Sequence, residues 1–501
     1  MTNNDAPRLS KSRFVDGWYC EKLLWWTVHE PGARELEPGI VERDLFDQGM
    51  LVEERARAEW PDGVLIEGSR RDPARVPRTR EVVGVGTRAI FQACFEADGV
   101  FCAVDVLERN GDAWTLIEVK SGSSVKDYHF PDVAVQVHVL RRSGLNVTRM
   151  EVMHMNKEFR HPDQGALMVR SDVTADVERL VPEVPKRIAE QMEVLKGPLP
   201  ERAVGSHCWF RGNDKACAFE ARCWPQDPDH IGNLYYVGPV KKLGLMAQGV
   251  HRMSDLPTDA KLSDTQRRQL RSQREKQLIV EPGLAEALRP AVEAERLGFL
   301  DFETVMRAIP SWDGLRPWGQ TAAQFSYHER DRAGNVTHAD FLAEGPEDPS
   351  DPPDDPRELL ARKMLRATEQ ASRVVMYTSF ESTRIKELAE RLPHLREPLE
   401  ALRAKLWDLK KPIENHVYHP DFLGSFSLKD IVAPLTGLSY DDLVIVNGMV
   451  ASVEIARLLF VSGRIPKHER EKTRADLLEY CKRDTYGTVV LVEKLRELSE
   501  K

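Results

Sequence analysis

Three cysteines fall close together in HCWFRGNDKACAFEARCW, residues 207–224: Cys208, Cys217 and Cys223. Sites built on thiolates usually take four ligands, and gaps of eight and then five residues are not the tight knuckle of a zinc ribbon. The fourth ligand has to be sought elsewhere in the chain. The opening stretch, MTNNDAPRLSKSRF, has no hydrophobic signal core, and no apolar run approaches the ~20 residues that a membrane helix needs. A cytoplasmic protein with no membrane partner is expected, and in that setting seven cysteines argue for metal or catalytic use rather than disulfides. At 501 residues the chain is too long for one core, so two or three domains are expected. A net charge of −9 excludes a general polyanion binder, but not an enzyme whose basic residues surround its clefts.

The pattern along the chain changes twice. Helical spacing in DLFDQGMLVEERARAEW gives way to β-like stretches, REVVGVGTRAIFQACFE, GVFCAVDVLERNG and DAWTLIEVKSG, with a hairpin signal at Asn110-Gly111. A helix is expected near VAVQVHVLRRSG, a strand at RMEVMHMN, and one long amphipathic helix over DVERLVPEVPKRIAEQMEVLKG. From Lys241 to Gln277 there are nine Lys/Arg against four Asp/Glu, which fits either a small basic helical module that contacts nucleic acid or a solvated linker. A third region opens on the strand AERLGFLDFETV, continues through a hairpin in AAQFSYHERDRAGNVTHADFLAEG and a Pro/Asp loop, and ends on the helix DLLEYCKRDTYGTVVLVEKLREL. Strands mixed with helices imply an α/β architecture.

Asp105 lies in one of the early strands, and Glu118 and Lys120 in its hairpin partner. With a period of two, Glu118 and Lys120 share a face while Val119 turns inward. Converging carboxylates can hold Mg²⁺ or Mn²⁺, and a neighbouring lysine can orient water or offset phosphate charge. Taken alone, the same pattern also describes a surface ion pair on a hairpin.

The passage VDVLERNGDAWTLIEVKSGSSVKDYHFPDVAVQ resembles the PD-(D/E)XK nucleases of the RecB type, in particular the CRISPR-associated and AddB-like exonucleases that carry an iron–sulfur cluster. The resemblance implies that Asp105, Glu118 and Lys120 form the core motif and that Gln136 is the glutamine of the following helix. The histidine those families place in an early helix has no counterpart, and the similar segment QGMLVEERA offers Glu53. The same resemblance implies a 4Fe–4S cluster held by one cysteine near the N-terminus and three after the nuclease core. SKSRFVDGWYCEKLLWW makes Cys20 the partner of Cys208, Cys217 and Cys223, a clasp joining distant parts of the chain. Zinc, or no metal, remains open on the cysteines alone. Cys94, Cys102 and Cys481 are expected to be structural.

In LGFLDFETV, Asp301 and Glu303 stand two apart in an apolar strand and face one way. In EYCKRDT, Tyr480 and Asp484 stand four apart, one helical turn. Carboxylates from distant segments meeting in a cleft are what a two-metal phosphodiester hydrolase requires. Either motif alone also fits an ordinary strand end or a polar helix face. Together they resemble the DnaQ-like, or DEDD, exonucleases, in which Asp-x-Glu opens the domain and Tyr-x-x-x-Asp closes it. The family's middle acid follows an Asn-x-x-Phe-Asp pattern; YTSFES stands at that place, which makes Glu381 the candidate, one methylene longer. WDLKKP and HPDFLGSFSLKDIVAPL are similar to the family's connecting helices.

The resemblances cover residues 10–225 and 296–497. They imply a RecB-like nuclease domain over 1–230, a basic helical module over 231–290 and an RNase H-like (DnaQ-like) exonuclease domain over 291–501. The expected protein is a metal-dependent nuclease acting on nucleic acid, DNA rather than RNA. In the second site Asp301, Glu303, Glu381 and Asp484 hold metal and Tyr480 positions water. The alternatives are a non-catalytic nucleic-acid-binding scaffold with degenerate nuclease folds, and a zinc-stabilised interaction protein.

Overall fold

The computed structural model describes residues 8–69, 72–209, 217–348 and 350–500. The first seven residues of the N-terminal stretch, and most of the link between Cys208 and Cys217, lie outside the described residues. The chain is mixed α/β, with three sheets among the described residues, and divides into two compact units: Met1–Pro225 with Arg307–Gly319, and Gln226–Met306 with Gln320–Lys501. Among the described residues no helix is long and apolar enough to cross a membrane.

The first unit begins with a two-residue strand, β1 (Leu9–Ser10), that runs into helix α1 (Lys11–Tyr19). Ser10 caps the helix by accepting from the Arg13 N–H at 3.3 Å, as short polar side chains do at helix starts. Cys20 ends α1 and opens α2 (Glu21–His29). Helix α3 (Ile40–Arg57) buries Gln48, Val52 and Ala56, a stripe of four-residue spacing. After β2 (Val64–Leu65) and α4 (Arg75–Gly84) come β3 (Ala89–Ala97), β4 (Val100–Asn110) and β5 (Ala113–Lys120), an antiparallel run. Asn110-Gly111 makes the expected tight turn, with Gly111 at φ 62°, a conformation glycine adopts without strain. The largely buried α5 (His129–Arg142) crosses over to β6 (Val147–Met155), parallel to β5, and β7 (Met168–Asp172) pairs antiparallel beyond it. The sheet order is β2-β3-β4-β5-β6-β7, with β1 paired to β4. The long helix expected after β7 is instead two, α6 (Thr174–Leu180) and α7 (Val184–Lys196), separated by a 3₁₀ turn. Pro182 and Pro185 lack the N–H groups that would continue one helix into the next. One further turn, α8 (Glu220–Cys223), follows.

The second unit opens with α9 (Pro239–Ala247), α10 (Asp264–Glu275), β8 (Ile279–Val280) and α11 (Leu284–Val292). Its main sheet is formed by β9 (Arg296–Val305), β10 (Thr321–Asp331) and β11 (Val336–Leu342), all antiparallel. After α12 (Arg357–Ala367), β12 (Arg373–Met376) lies parallel to β9. Helices α13 (Phe380–Arg391) and α14 (Arg396–Lys405) lead to β13 (Leu406–Asp408), parallel to β12, so the order is β11-β10-β9-β12-β13. WDLKKP is therefore strand at Trp407 and Asp408, and its last three residues, Lys410 to Pro412, begin helix α15 (Lys410–His416). Then follow β14 (Val417–Tyr418), α16 (Leu428–Thr436), α17 (Gly448–Phe460) and α18 (Lys467–Ser499), which packs on β9 and β10.

Residues 231–290, expected as a module of their own, fold within the second unit. β8 pairs with β14, and α10 buries Arg268, Gln269, Ser272 and Gln273 rather than displaying them. Gln273 donates to the Pro420 carbonyl at 2.6 Å and Arg268 to that of Glu414 at 2.7 Å. Gly424, at φ 81°, lies so close to the Asn233 carbonyl that a Cβ would stand 1.9 Å from its oxygen, so only glycine fits. The basic residues of this stretch are mostly committed locally: Arg267 to Asp264, Arg271 to Glu281, Arg252 to Asp227. A count of charges along the sequence cannot reveal such pairing. Conversely, Arg307–Gly319, expected in the C-terminal domain, belongs with the first unit, where Arg307 pairs with Asp44 at 2.7 Å and Trp318 Nε1 donates to the Ser121 carbonyl at 2.6 Å.

Candidate functional sites

In the first unit, the β4–β5 pairing ends at Val106 opposite Ile117, and Asp105 and Glu118 lie one step beyond. The strands splay there, and the Asp105 carboxylate takes over the ladder by accepting from the Val119 N–H at 2.9 Å. Glu118 is only 2% exposed. Its carboxylate accepts from Lys120 Nζ at 2.7 Å, Gln136 Nε2 at 2.8 Å, and Lys11 Nζ at 2.8 and 3.1 Å. Lys120 also donates to Asp132 at 2.9 Å. Asp105, Glu118, Lys120 and Gln136 are thus gathered in one place, with Lys11 and Asp132 added to them. Glu53 stands at the edge: Gln92 Nε2 bridges it, at 2.6 Å, to Asp105, at 3.1 Å. Gln92 has φ 52°, an uncommon conformation for a non-glycine residue in a strand, and this kink aims its amide at the two acids.

The electrostatics of this cluster follow from who faces whom. Burial, then the negative charge of Glu118, push Asp105 up to about 7, against the pull of Lys11. Burial would also raise Glu118, but the two ammonium groups of Lys11 and Lys120 hold it well below the usual carboxylate range. His129 is pushed down to about 3 by burial and by Lys120, so its ring is neutral. Gln136 Oε1, fully buried, has no hydrogen-bond partner.

In the second unit, Asp301 and Glu303 share a face of β9, Glu381 stands in the first turn of α13, and Tyr480 and Asp484 lie one turn apart on α18. The four carboxylates converge. Burial and the Asp484 charge push Asp301 up to about 8. Burial and Asp301 push Glu303 and Glu381 well up, and burial raises Asp484 against Lys429 and the hydroxyls of Tyr440 and Tyr480. Lys429 of α16 is the cation that faces them, its Nζ 4.4 Å from the centre of the Tyr480 ring. Two buried carboxylate oxygens here, Glu381 Oε2 and Asp484 Oδ1, have no hydrogen-bond partner. Cys481, expected to be structural, is buried beside this cluster. Its Sγ donates to Asp301 Oδ2 at 3.7 Å, and ligand atoms of Asp301, Glu303 and Cys481 lie within 4.8 Å of one another. An α-helix puts Cys481 and Asp484, three apart, on neighbouring positions of one face, a signal the sequence already contained.

A third cluster is made of thiols. Cys20, between α1 and α2, lines one apolar cavity with Cys208, Cys217 and Cys223. Leu23, Trp26 and Phe219 form its floor, with the Trp26 and Phe219 rings 4.9 Å apart. Burial raises the Cys208 and Cys223 thiols; burial and the other three cysteines push Cys217 up to about 11. Arg222 ties the later segment to the earlier one through Glu30 and Glu35, each at 2.7 Å. Cys94 and Cys102 are buried in β3 and β4, away from this cavity.

With this geometry in hand, comparison with known proteins adds one match. A family model described as a domain of unknown function (DUF2779) matches residues 298–427. That stretch holds Asp301, Glu303 and Glu381 and stops short of Asp484. No curated protein matches the chain.

Lys11, Gln92, Asp132 and Lys429 stand beside these clusters and were missed in the sequence reading. Asp132 had a signal, since it stands four residues before Gln136 on one helix face. Lys11 had none, because a lysine at a helix start reads as a solvated residue.

Proposed function

We propose that the chain is a metal-dependent nuclease with two phosphodiester-hydrolysing sites and a structural 4Fe–4S cluster. The observation that carries this reading is the second acidic cluster. Four carboxylates from three distant segments, Glu303, Glu381 and Asp484 buried and Asp301 half-buried, have among the described residues Lys429 as the lysine that faces them, all four are driven toward the protonated form, and two of their oxygens lack a hydrogen-bond partner. Such a set is strained by its own charge and is relieved by divalent cations. Asp301, Glu303, Glu381 and Asp484 would hold Mg²⁺ or Mn²⁺, which when bound supplies Lewis-acid polarisation and a water of lowered pKa. Tyr480, one helical turn from Asp484, would orient the attacking water, and Lys429 would offset charge on the phosphate.

The first cluster supports the same chemistry with a different donor set. Asp105 and Glu118 would hold the cation, the unpartnered Gln136 Oε1 can accept from a bound water, and Lys120 orients that water. The four cysteines that line one cavity are placed to share a single group that deprotonates them on binding. A cubane fits irregular ligand spacing. Nucleic acid, DNA before RNA, is the proposed substrate, and the locally paired arginines of 231–290 are not its main contact.

The test is Mn²⁺-dependent digestion of end-labelled DNA and RNA by the full chain. Glu118→Ala and Asp301→Ala should remove separable activities, and the double variant should be inert. Unchanged digestion by the double variant would reject the assigned sites, and no Mn²⁺-dependent digestion by the unaltered chain would favour a binding scaffold, which Glu381 in place of an aspartate also favours. Anaerobically purified protein should be brown and lose its colour on Cys20→Ser; colourless, zinc-loaded protein would replace the cluster with a zinc-stabilised module.

A further inference from the structure

We propose that Lys11 is a substrate-contacting residue of the first site: its ammonium, bonded to Glu118 where a cation would bind, moves onto a phosphate oxygen when a cation takes that place. The inference rests on the reading of that site as a phosphodiesterase. An ionised carboxylate offers about four acceptor positions. Those of Glu118 are all taken, by Lys11 on both oxygens, Lys120 on Oε1 and Gln136 on Oε2. A cation can reach Glu118 only if one donor leaves. Gln136 is fully buried and also bonded to the Asp132 carbonyl at 3.2 Å. Lys120 is braced by Asp132 at 2.9 Å. Lys11 has its other carboxylate, Asp132, no nearer than 3.8 Å. Its side chain is 23% exposed, much as that of Lys120 is at 25%, but with no second carboxylate close by its four-carbon stem is the freer of the two to turn its ammonium toward solvent. Lys11 is the donor that yields.

The backbone that carries it is fixed at both ends. β1 pairs with β4 through Leu9 opposite Val100 and Ser10 opposite Phe101, a few residues before Asp105 on the same strand. Gln191 of α7 donates to the Phe14 carbonyl at 3.0 Å, and Gly17 packs so closely on Gln191 that a Cβ would stand 2.5 Å from it. The helix ends at Cys20, in the thiol cavity. A residue delivered so rigidly, on so mobile a stem, suits a contact made and broken in each cycle.

The experiment uses the full chain in an Asp301→Ala background, so that cleavage reports the first site. Lys11→Gln should lower cleavage roughly 10²-fold, the scale of losing one stabilising donor. With Ca²⁺ replacing Mg²⁺ to prevent hydrolysis, its binding of labelled DNA should show a salt slope smaller by about 1, one phosphate contact fewer. Mn²⁺ titrated calorimetrically should bind Lys11→Gln several-fold more tightly, because a competitor for Glu118 is gone. Lys11→Arg should keep the wild-type slope and fold. Unchanged slope and unchanged Mn²⁺ affinity in Lys11→Gln, with cleavage still abolished by Glu118→Ala, would overturn the role of Lys11 alone. Glu118→Ala that cleaves normally would overturn the parent reading of the site.

Discussion

The two acidic clusters solve the same electrostatic problem in opposite ways. In the first, two lysines stand against Glu118 and Asp132, and Glu118 is held ionised. In the second, four carboxylates face one lysine, and protons make up the deficit. The first cluster is preorganised without a cation and must release a donor to admit one. In the second, a cation would displace protons and the Cys481 thiol hydrogen bond on Asp301, but no ammonium bonded to a carboxylate. Burial is comparable in the two; the number of facing ammonium groups sets the difference.

The sharpest way to break this comparison is one kind of substitution applied to both clusters. Glu118→Gln leaves Lys11 and Lys120 without their shared carboxylate and should destabilise the metal-free protein by about 2–3 kcal/mol, the lower end for a broken buried pair because both lysines are partly exposed. Asp301→Asn removes one of four mutually repelling acids and should stabilise the metal-free protein at pH 8 by about 1 kcal/mol or more. Thermal melts with a chelator present measure both. Changes of the same sign would mean that the contrast in charge balance is not real.

A smaller effect is expected from pH. The carboxylates of the second cluster have raised values in the fold, Asp301 about 8, against about 4 when unfolded. Between those values the folded state binds more protons than the unfolded one, so stability falls as pH rises. Asp105, at about 7, adds to the same trend. Glu118 has the opposite sign, its contribution being present above its unfolded value and lost only in acid. Melting temperature without metal should therefore drop from pH 5 to pH 8, and the gain on adding Mn²⁺ should grow over the same window. Asp301→Asn should flatten the profile, and Glu118→Gln should leave its slope largely in place.

How much of this was visible in the sequence depends on the range of the interaction. Period-two alternation placed Glu118 and Lys120 on one face, and a helical turn placed Tyr480 beside Asp484, because those relations are local. Lys11 reaches Glu118 from over a hundred residues away, and no periodicity reports that. Gln92 acts through a left-handed kink inside a strand whose sequence looks regular. The stretch from Lys241 to Gln277 misled in the other direction: its charge count suggested an exposed basic surface, but Arg268 turns inward to a backbone carbonyl. The prolines at 182 and 185 could have been read as a break between two helices, since proline removes the donor wherever it falls in a helix interior.

The mildest contrast comes from shortening a glutamate in each cluster by one methylene. Glu118→Asp draws the carboxylate back from three donors whose backbones do not follow, and a misplacement of about 1 Å at a reacting centre costs about 10²-fold. Glu381 has one oxygen with no hydrogen-bond partner, and its side-chain partner is another carboxyl group, Asp301, rather than a set of ammonium and amide donors. Glu381→Asp should therefore change second-site cleavage by less than about tenfold, with a stability cost near that of one lost buried methylene, about 1 kcal/mol. Single-turnover cleavage in Asp301→Ala and Glu118→Ala backgrounds isolates each site for the measurement. If Glu381→Asp proved the more damaging of the two, the second cluster would be as rigidly specified as the first, and its missing hydrogen bonds would reflect precise cation geometry rather than slack.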